Sequence, residues 1–205
     1  MSKLFLDPQK PLHTCKEKNC DDCNVCDDIS CHFTFRQLLH FYLIALPPFI
    51  IGGFGMYIYN WKFLIIWIGI VILYFGFIEI KVMCSHCPHY AEPKLKSLKC
   101  WANYGSYKFW KYKPGPMSKM EKIVFLTGMA TVFIFPLFFL FSTKEIFLLL
   151  LYLLTLGSFF TTLKNFLCTQ CMNFACPLNA VPEETRNKFF KKNPIVAEAW
   201  GKNKN

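Results

Sequence analysis

Eleven cysteines in 205 residues supply the chemistry in this chain, and they fall into three groups. The first is Cys15, Cys20, Cys23, Cys26 and Cys31; the second is Cys84, Cys87 and Cys100; the third is Cys168, Cys171 and Cys176. A C-x-x-C pair in a tight turn lets two thiolates reach one ion or cluster, while nearby backbone N–H groups bond the sulfurs. Such crowding implies either oxidised cystines or reduced thiols with a ligand, and the cellular compartment decides which.

The second and third groups repeat one pattern. Cys84 to Ala91 and Cys168 to Ala175 both read C-x-x-C-x-x-[YF]-A, and C-x-x-N follows in each, from Cys100 to Asn103 and from Cys176 to Asn179. An eight-residue insertion separates the two parts in the first copy. Each copy has a lysine shortly before it, Lys81 or Lys164, and each ends a pair of apolar segments, so the chain reads as a duplicated unit in one membrane orientation. In the first group, Cys20-x-x-Cys23-x-x-Cys26 is similar to the start of the bacterial ferredoxin run, whose last cysteine precedes proline. No Cys-Pro follows nearby, but Cys87-Pro88 and Cys176-Pro177 offer that dipeptide elsewhere. The likeness covers only these residues and implies iron–sulfur ligation.

Ligand counting leaves several pairings open. Two [4Fe–4S] clusters would use eight cysteines, with one N-terminal cysteine completing each knuckle, or with Cys20, Cys23 and Cys26 joined by a Cys-Pro cysteine. The cofactor-binding set is then Cys20, Cys23, Cys26, Cys84, Cys87, Cys100, Cys168, Cys171 and Cys176, with Cys15 and Cys31 as extra metal ligands. Zinc competes: Cys84, Cys87, Cys168 and Cys171 would make one tetrahedral thiolate site. His86 and His89 lie inside the first knuckle and are further candidate ligands, although loop histidines are more often solvated. Asp21, Asp22, Asp27 and Asp28 interleave with the first group and favour a bare cation over an anionic cluster.

The elements that must position these thiols are membrane helices. The chain is 54% hydrophobic with 23 phenylalanines, too apolar for an ordinary soluble domain. Four apolar segments, 38–59, 63–83, 123–141 and 146–167, approach or exceed the ~20 residues that cross a hydrocarbon layer about 30 Å thick. Lipid offers backbone polar groups no partner, so each is expected to be helical. The links at 60–62 and 142–145 are short, which predicts two antiparallel hairpins. Ser118-x-x-Glu121 and Ser142-x-x-Glu145 both have capping-box spacing. The expected fold is an all-α integral membrane protein with four transmembrane helices in two pseudo-repeated hairpins and a cysteine-rich layer on one side. Its parts are an N-terminal arm (1–35), hairpin 1 (36–83), a cysteine loop (84–121), hairpin 2 (122–167), and a second knuckle with an amphipathic tail (168–205).

Charge gives the orientation. Lys and Arg number five in 1–37, nine in 81–122 and seven from 164 onward, against one in each short link. The positive-inside rule therefore puts both termini, the long loop and all the cysteines in the cytosol of a multi-pass cell-membrane protein. The opening residues show no apolar core of a cleaved signal. The net charge of +10 then answers to anionic lipid, with no nucleic acid partner required. Within the spans, Pro47, Pro48, Gly52, Gly53, Gly55 and Pro136 predict kinks and close packing. Glu79 reads as a snorkelling ion pair with Lys81 or Lys164. Phe189 and Phe190, beside Lys191 and Lys192, predict a tail helix lying on lipid. His40 is the single histidine within a span, so no pair of imidazoles is available for a transmembrane haem. Nucleotide-loop and hydrolase motifs are absent.

Three functions fit these features. One is a membrane-anchored iron–sulfur protein transferring electrons at the cytoplasmic face to a soluble or membrane redox partner, within a larger complex. Another is a zinc-stabilised scaffold or assembly protein. The third rests on four spans plus C-x-x-C at Cys84/Cys87 and Cys168/Cys171. In this the chain resembles the quinone-linked disulfide-generating enzymes of the vitamin K epoxide reductase and bacterial disulfide-bond B types, and the resemblance implies thiol–disulfide exchange. Those families act toward the oxidising side, whereas charge places these cysteines in the reducing cytosol.

Overall fold

The helices begin where side chains can cap them. In a computed structural model describing residues 4–20, 23–26 and 28–202, Thr34 accepts from the Gln37 backbone N–H and Gln37 returns the bond to Thr34 N–H. This capping box opens α1, Phe35–Leu73. The element is broken once, at Asn60 (φ −171°, ψ 120°), whose side chain accepts from Lys62 N–H and restarts the helix. Across the break, the rings of Phe49 and Trp67 lie 5.6 Å apart. An unbroken helix would separate these residues by about 27 Å, so the arms before and after Asn60 touch side to side. The second arm runs through a π-helical turn, Tyr74–Ile78, into α2, Glu79–Val82.

Helix α3, Lys119–Ser142, carries the expected capping box between Ser118 and Glu121. The second expected box, at Ser142, does not form. Ser142 stays inside α3 with its hydroxyl on the Phe138 carbonyl, and the chain reverses through Lys144 at φ 58°. Helix α4, Ile146–Thr162, then starts without a side-chain cap and ends in a second π-helical turn, Leu163–Leu167. Two short helices close the chain, α5 (Glu183–Lys192) and α6 (Pro194–Ala199). Among the described residues there is no β-strand, only an antiparallel bridge between Ser97 and Tyr107.

Three helical stretches are long and apolar enough to cross a membrane: Phe35–His86, Lys119–Ser142 and Ile146–Gln170. Their outward faces are apolar, with Leu43, Ile50, Phe138, Phe141, Phe147 and Leu154 all exposed, the reverse of a water-soluble bundle. Inside, small residues let backbones approach. A Cβ on Gly52 would come within 3.0 Å of Pro136 and of Tyr152, one on Gly55 would collide with Leu140, and one on Gly128 would run into the ring of Tyr74.

Proline and aromatic hydroxyl or indole groups complement one another here. Pro136 has no N–H to give to the carbonyl of Val132 one turn back. Trp67 Nε1–H takes that carbonyl at 2.8 Å, and Tyr152 bonds the adjacent Phe133 carbonyl at 2.8 Å. The one carbonyl that the proline frees, Val132, thus finds a partner within the protein, as an apolar surround demands.

The tail corrects one expectation. Phe189 and Phe190 are buried rather than laid on lipid, packing against Phe174 with ring centroids at 5.1 and 5.5 Å, and Phe190 also meets Trp200. The apolar stripe of α5 faces the second knuckle. The N-terminal arm before Thr34 has no helix or strand among its described residues, yet it buries Leu12, Val25, Ile29 and Phe33.

Candidate metal centre

Both knuckles leave the bundle in the same way. A 3₁₀ turn covers Cys84–His86 in the first and Cys168–Gln170 in the second. The next cysteine is extended in each, Cys87 at φ −74°, ψ 134° and Cys171 at φ −81°, ψ 124°. The repeat found in the sequence is therefore a repeat of backbone shape, and it turns the two C-x-x-C pairs toward each other. Cys84, Cys87, Cys100, Cys168, Cys171 and Cys176 all line one cavity of about 140 Å³ at the end of the bundle. The opposite wall is aromatic, including Phe41, Phe49, Phe75 and Phe133.

These thiols are held out of water. Burial pushes the Cys100 thiol up to about 12 and raises Cys87, Cys171 and Cys176; Cys87 and Cys100 are raised further by Cys171 across the cavity. The clustered sulfurs ionise only if a cation joins them, since a bound metal makes the thiolate the favoured form. Two bonds already point at sulfur: Asn103 donates its backbone N–H to Cys100 Sγ and its side-chain amide to Cys84 Sγ, both at 3.3 Å. The corresponding Asn179 reinforces the backbone instead, donating to the carbonyls of Cys171 and Asn173 at 2.7 and 3.1 Å. Asn173 ties the knuckles together, reaching the Met83 carbonyl at 3.1 Å.

Polar atoms facing this cavity lack partners. Glu79 is 5% exposed and accepts from the Asn103 side chain, but its Oε2 has no hydrogen bond. The expected ion pair with Lys81 or Lys164 does not form; Lys81 sits over the Trp110 ring at 4.8 Å. The physical reason is the position of Glu79 on the inward face of α2, in a helix whose other face carries Lys81. Asn173 Oδ1 is likewise buried and unpartnered. His89 is 2% exposed, and its Nε2 accepts the Lys99 backbone N–H at 3.1 Å. A neutral ring accepting at Nε2 carries its proton on Nδ1, so the orphaned Nδ1 is a donor. Burial lowers the His89 pKa to about 3 and keeps the ring neutral. His89 thus suits a hydrogen bond to a sulfur or other acceptor better than direct metal ligation. His86 is turned away, with Nδ1 on the Gly115 carbonyl at 2.7 Å and Nε2 facing Glu121 at 3.4 Å.

The five N-terminal cysteines sit apart. Cys15, Cys20, Cys23, Cys26 and Cys31 line a second, smaller cavity of about 20 Å³ with residues of the tail. The eleven cysteines therefore divide six and five, and neither sequence-derived pairing that mixes the arm with a knuckle is brought together. No disulfide joins any of them, and among the described residues no three Cys, His, Asp or Glu side chains stand in place around a single ion. Asp21, Asp22 and Asp27, interleaved with this group in the sequence, lie outside the described residues. Asn103 and Asn179 were legible in advance through the repeated C-x-x-N, whereas Asn173 and the inward turn of Glu79 carried no sequence signal.

Comparison with protein-family models, with curated proteins and with solved structures gives no match.

Proposed function

We propose that this chain is a membrane-anchored iron–sulfur protein that passes electrons at the cytoplasmic membrane face, as a subunit of a redox complex. The observation that carries the reading is the single cavity of about 140 Å³ ringed by six thiols from both knuckles. One bound water needs only ~10–15 Å³; so large a space fits a polyatomic group better than a lone ion. The two bonds that Asn103 already donates to sulfur are the kind that tune cluster potentials, and the unpartnered Nδ1–H of His89 beside the cavity is a further donor available to an occupant.

The expected pair of [4Fe–4S] clusters needs eight thiolates. With six around the large cavity and a second space of about 20 Å³, the proposal is one [4Fe–4S] cluster, held by four thiolates drawn from both knuckles. Electrons would move by outer-sphere transfer, and the apolar aromatic wall would exclude water from the bundle side.

The topology belongs to the same proposal. The contact of Phe49 with Trp67 across Asn60 supports reading α1 as two crossings, giving four spans in two antiparallel hairpins. The positive-inside rule then assigns the knuckles, the arm and both termini to the cytoplasm. Thiol–disulfide exchange draws less support, because an attacking cysteine needs a lowered pKa and access, whereas burial raises Cys87 and Cys171.

Anaerobic purification followed by iron and acid-labile sulfide analysis tests the reading. A brown protein that loses both on Cys87→Ser and Cys171→Ser is expected. A colourless protein carrying zinc and no iron overturns it in favour of a zinc-stabilised scaffold.

A further inference from the structure

We propose that Cys20, Cys23, Cys26 and Cys31 hold a single zinc-class ion that fastens the N-terminal arm to the tail, as a site separate from the six-thiol cavity. The volume of about 20 Å³ accommodates one water-sized occupant, not a cluster. The backbone there makes successive turns, Cys23 N–H to the Cys20 carbonyl at 3.3 Å and Cys26 N–H to the Cys23 carbonyl at 3.1 Å. These turns bring the Cys23 and Cys26 thiols into hydrogen-bonding contact, and Cys26 meets Cys31 in the same way. A tetrahedron with Zn–S bonds of ~2.3 Å has sulfur–sulfur edges of about 3.8 Å, which is contact distance for two sulfurs. Cys20 lines the same cavity and acts electrostatically on both Cys26 and Cys31; the four do not yet stand in place around an ion and would close on it. Cys15 lines the cavity too, but the thiol that acts on it most strongly is Cys23, and Cys15 is the one left out.

The surroundings suit a dication with four thiolates. Backbone N–H groups of Val25 and Cys26 bond Cys23 sulfur, and Lys192 supplies positive charge and a further hydrogen bond to it. Such N–H and ammonium contacts orient thiolates and offset their excess negative charge.

Folding supplies the reason for an ion. About thirty residues before Thr34 contain no helix or strand among those described, yet Val25 and Ile29 are almost completely buried. A stretch of that length without regular structure needs another source of order, and a structural metal provides folding free energy directly. The arm also makes long-range bonds that the ion would lock in place. Lys16 N–H bonds the Lys192 carbonyl at 2.9 Å, Thr14 bonds Asn193 at 2.8 Å, and Ser30 N–H bonds Gln170 at the second knuckle at 2.9 Å. Phe33 meets His89 edge-on at 5.2 Å, so the arm covers the six-thiol cavity as well.

Zinc and iron measured together on the full-length, anaerobically purified protein test this. About one zinc per chain is expected, lost on Cys20→Ser, Cys26→Ser or Cys31→Ser with any iron retained, and kept on Cys15→Ser. Zinc that follows the knuckle cysteines, zinc lost on Cys15→Ser, or no zinc at all overturns the site. Should the serine variants fail to accumulate, limited proteolysis of the wild type before and after zinc chelation decides. Cleavage appearing within residues 4–33 while the helices stay intact supports the site, and unchanged protection overturns it. The cluster reading fails separately: a colourless chain with one arm-bound zinc would remove the cluster and leave this site standing.

Discussion

Glu79→Leu should have opposite effects on the metal-free and the loaded protein. Glu79 is 5% exposed, and its Oε2 has no hydrogen-bond partner while facing the six-thiol cavity. A buried acceptor left unsatisfied costs roughly 1–3 kcal/mol. The variant removes that cost and loses one hydrogen bond, from the Asn103 side chain, worth about 1 kcal/mol. Asn103 keeps its contact with Cys84 sulfur, so its amide is not stranded. The metal-free protein should therefore gain about 1 kcal/mol, a rise of ~2–4 °C in Tm for a chain of this size. If the carboxylate contacts whatever fills the cavity, the loaded protein should lose stability instead, together with affinity for the group. Thermal unfolding in detergent of chelated and loaded samples, wild type beside Glu79→Leu and the near-isosteric Glu79→Gln, measures both signs. Equal destabilisation of the two forms would make the carboxylate purely structural, and equal stabilisation would leave it facing nothing; either refutes the reasoning.

Gly128→Ala puts a methyl into the ring of Tyr74, whose hydroxyl is anchored on the Phe125 carbonyl at 2.7 Å. Such overpacking should cost about 1–3 kcal/mol in detergent unfolding. His89→Phe keeps an aromatic ring but removes the unpartnered Nδ1–H beside the cavity, and losing a donor available to the cavity's group should lower that group's reduction potential in a redox titration. An unchanged potential would assign His89 to packing alone. Thr34→Ala removes half of the capping box that opens α1. It should destabilise by about 1 kcal/mol, with metal content unaffected.

Much of the architecture was already written in the local sequence. Apolar runs of spanning length, the Ser118–Glu121 box and the C-x-x-C-x-x-[YF]-A repeat each act over a few neighbouring residues, and the backbone adopts them regardless of distant partners. The local box at Ser142 failed because a competing local bond, hydroxyl to the Phe138 carbonyl, kept that residue in α3. What only the tertiary structure decided was who meets whom. The partition of eleven cysteines into six and five depends on contacts such as Asn173 with Met83, 90 residues apart, and Ser30 with Gln170, 140 apart. Periodicity marks a face of α5 or α2 as apolar or polar without saying what covers it, which is why Phe189, Phe190 and Glu79 were expected outward and lie inward. Spacing between cysteines states that thiols are available; the directions in which two helical units release them determine which sulfurs share a space.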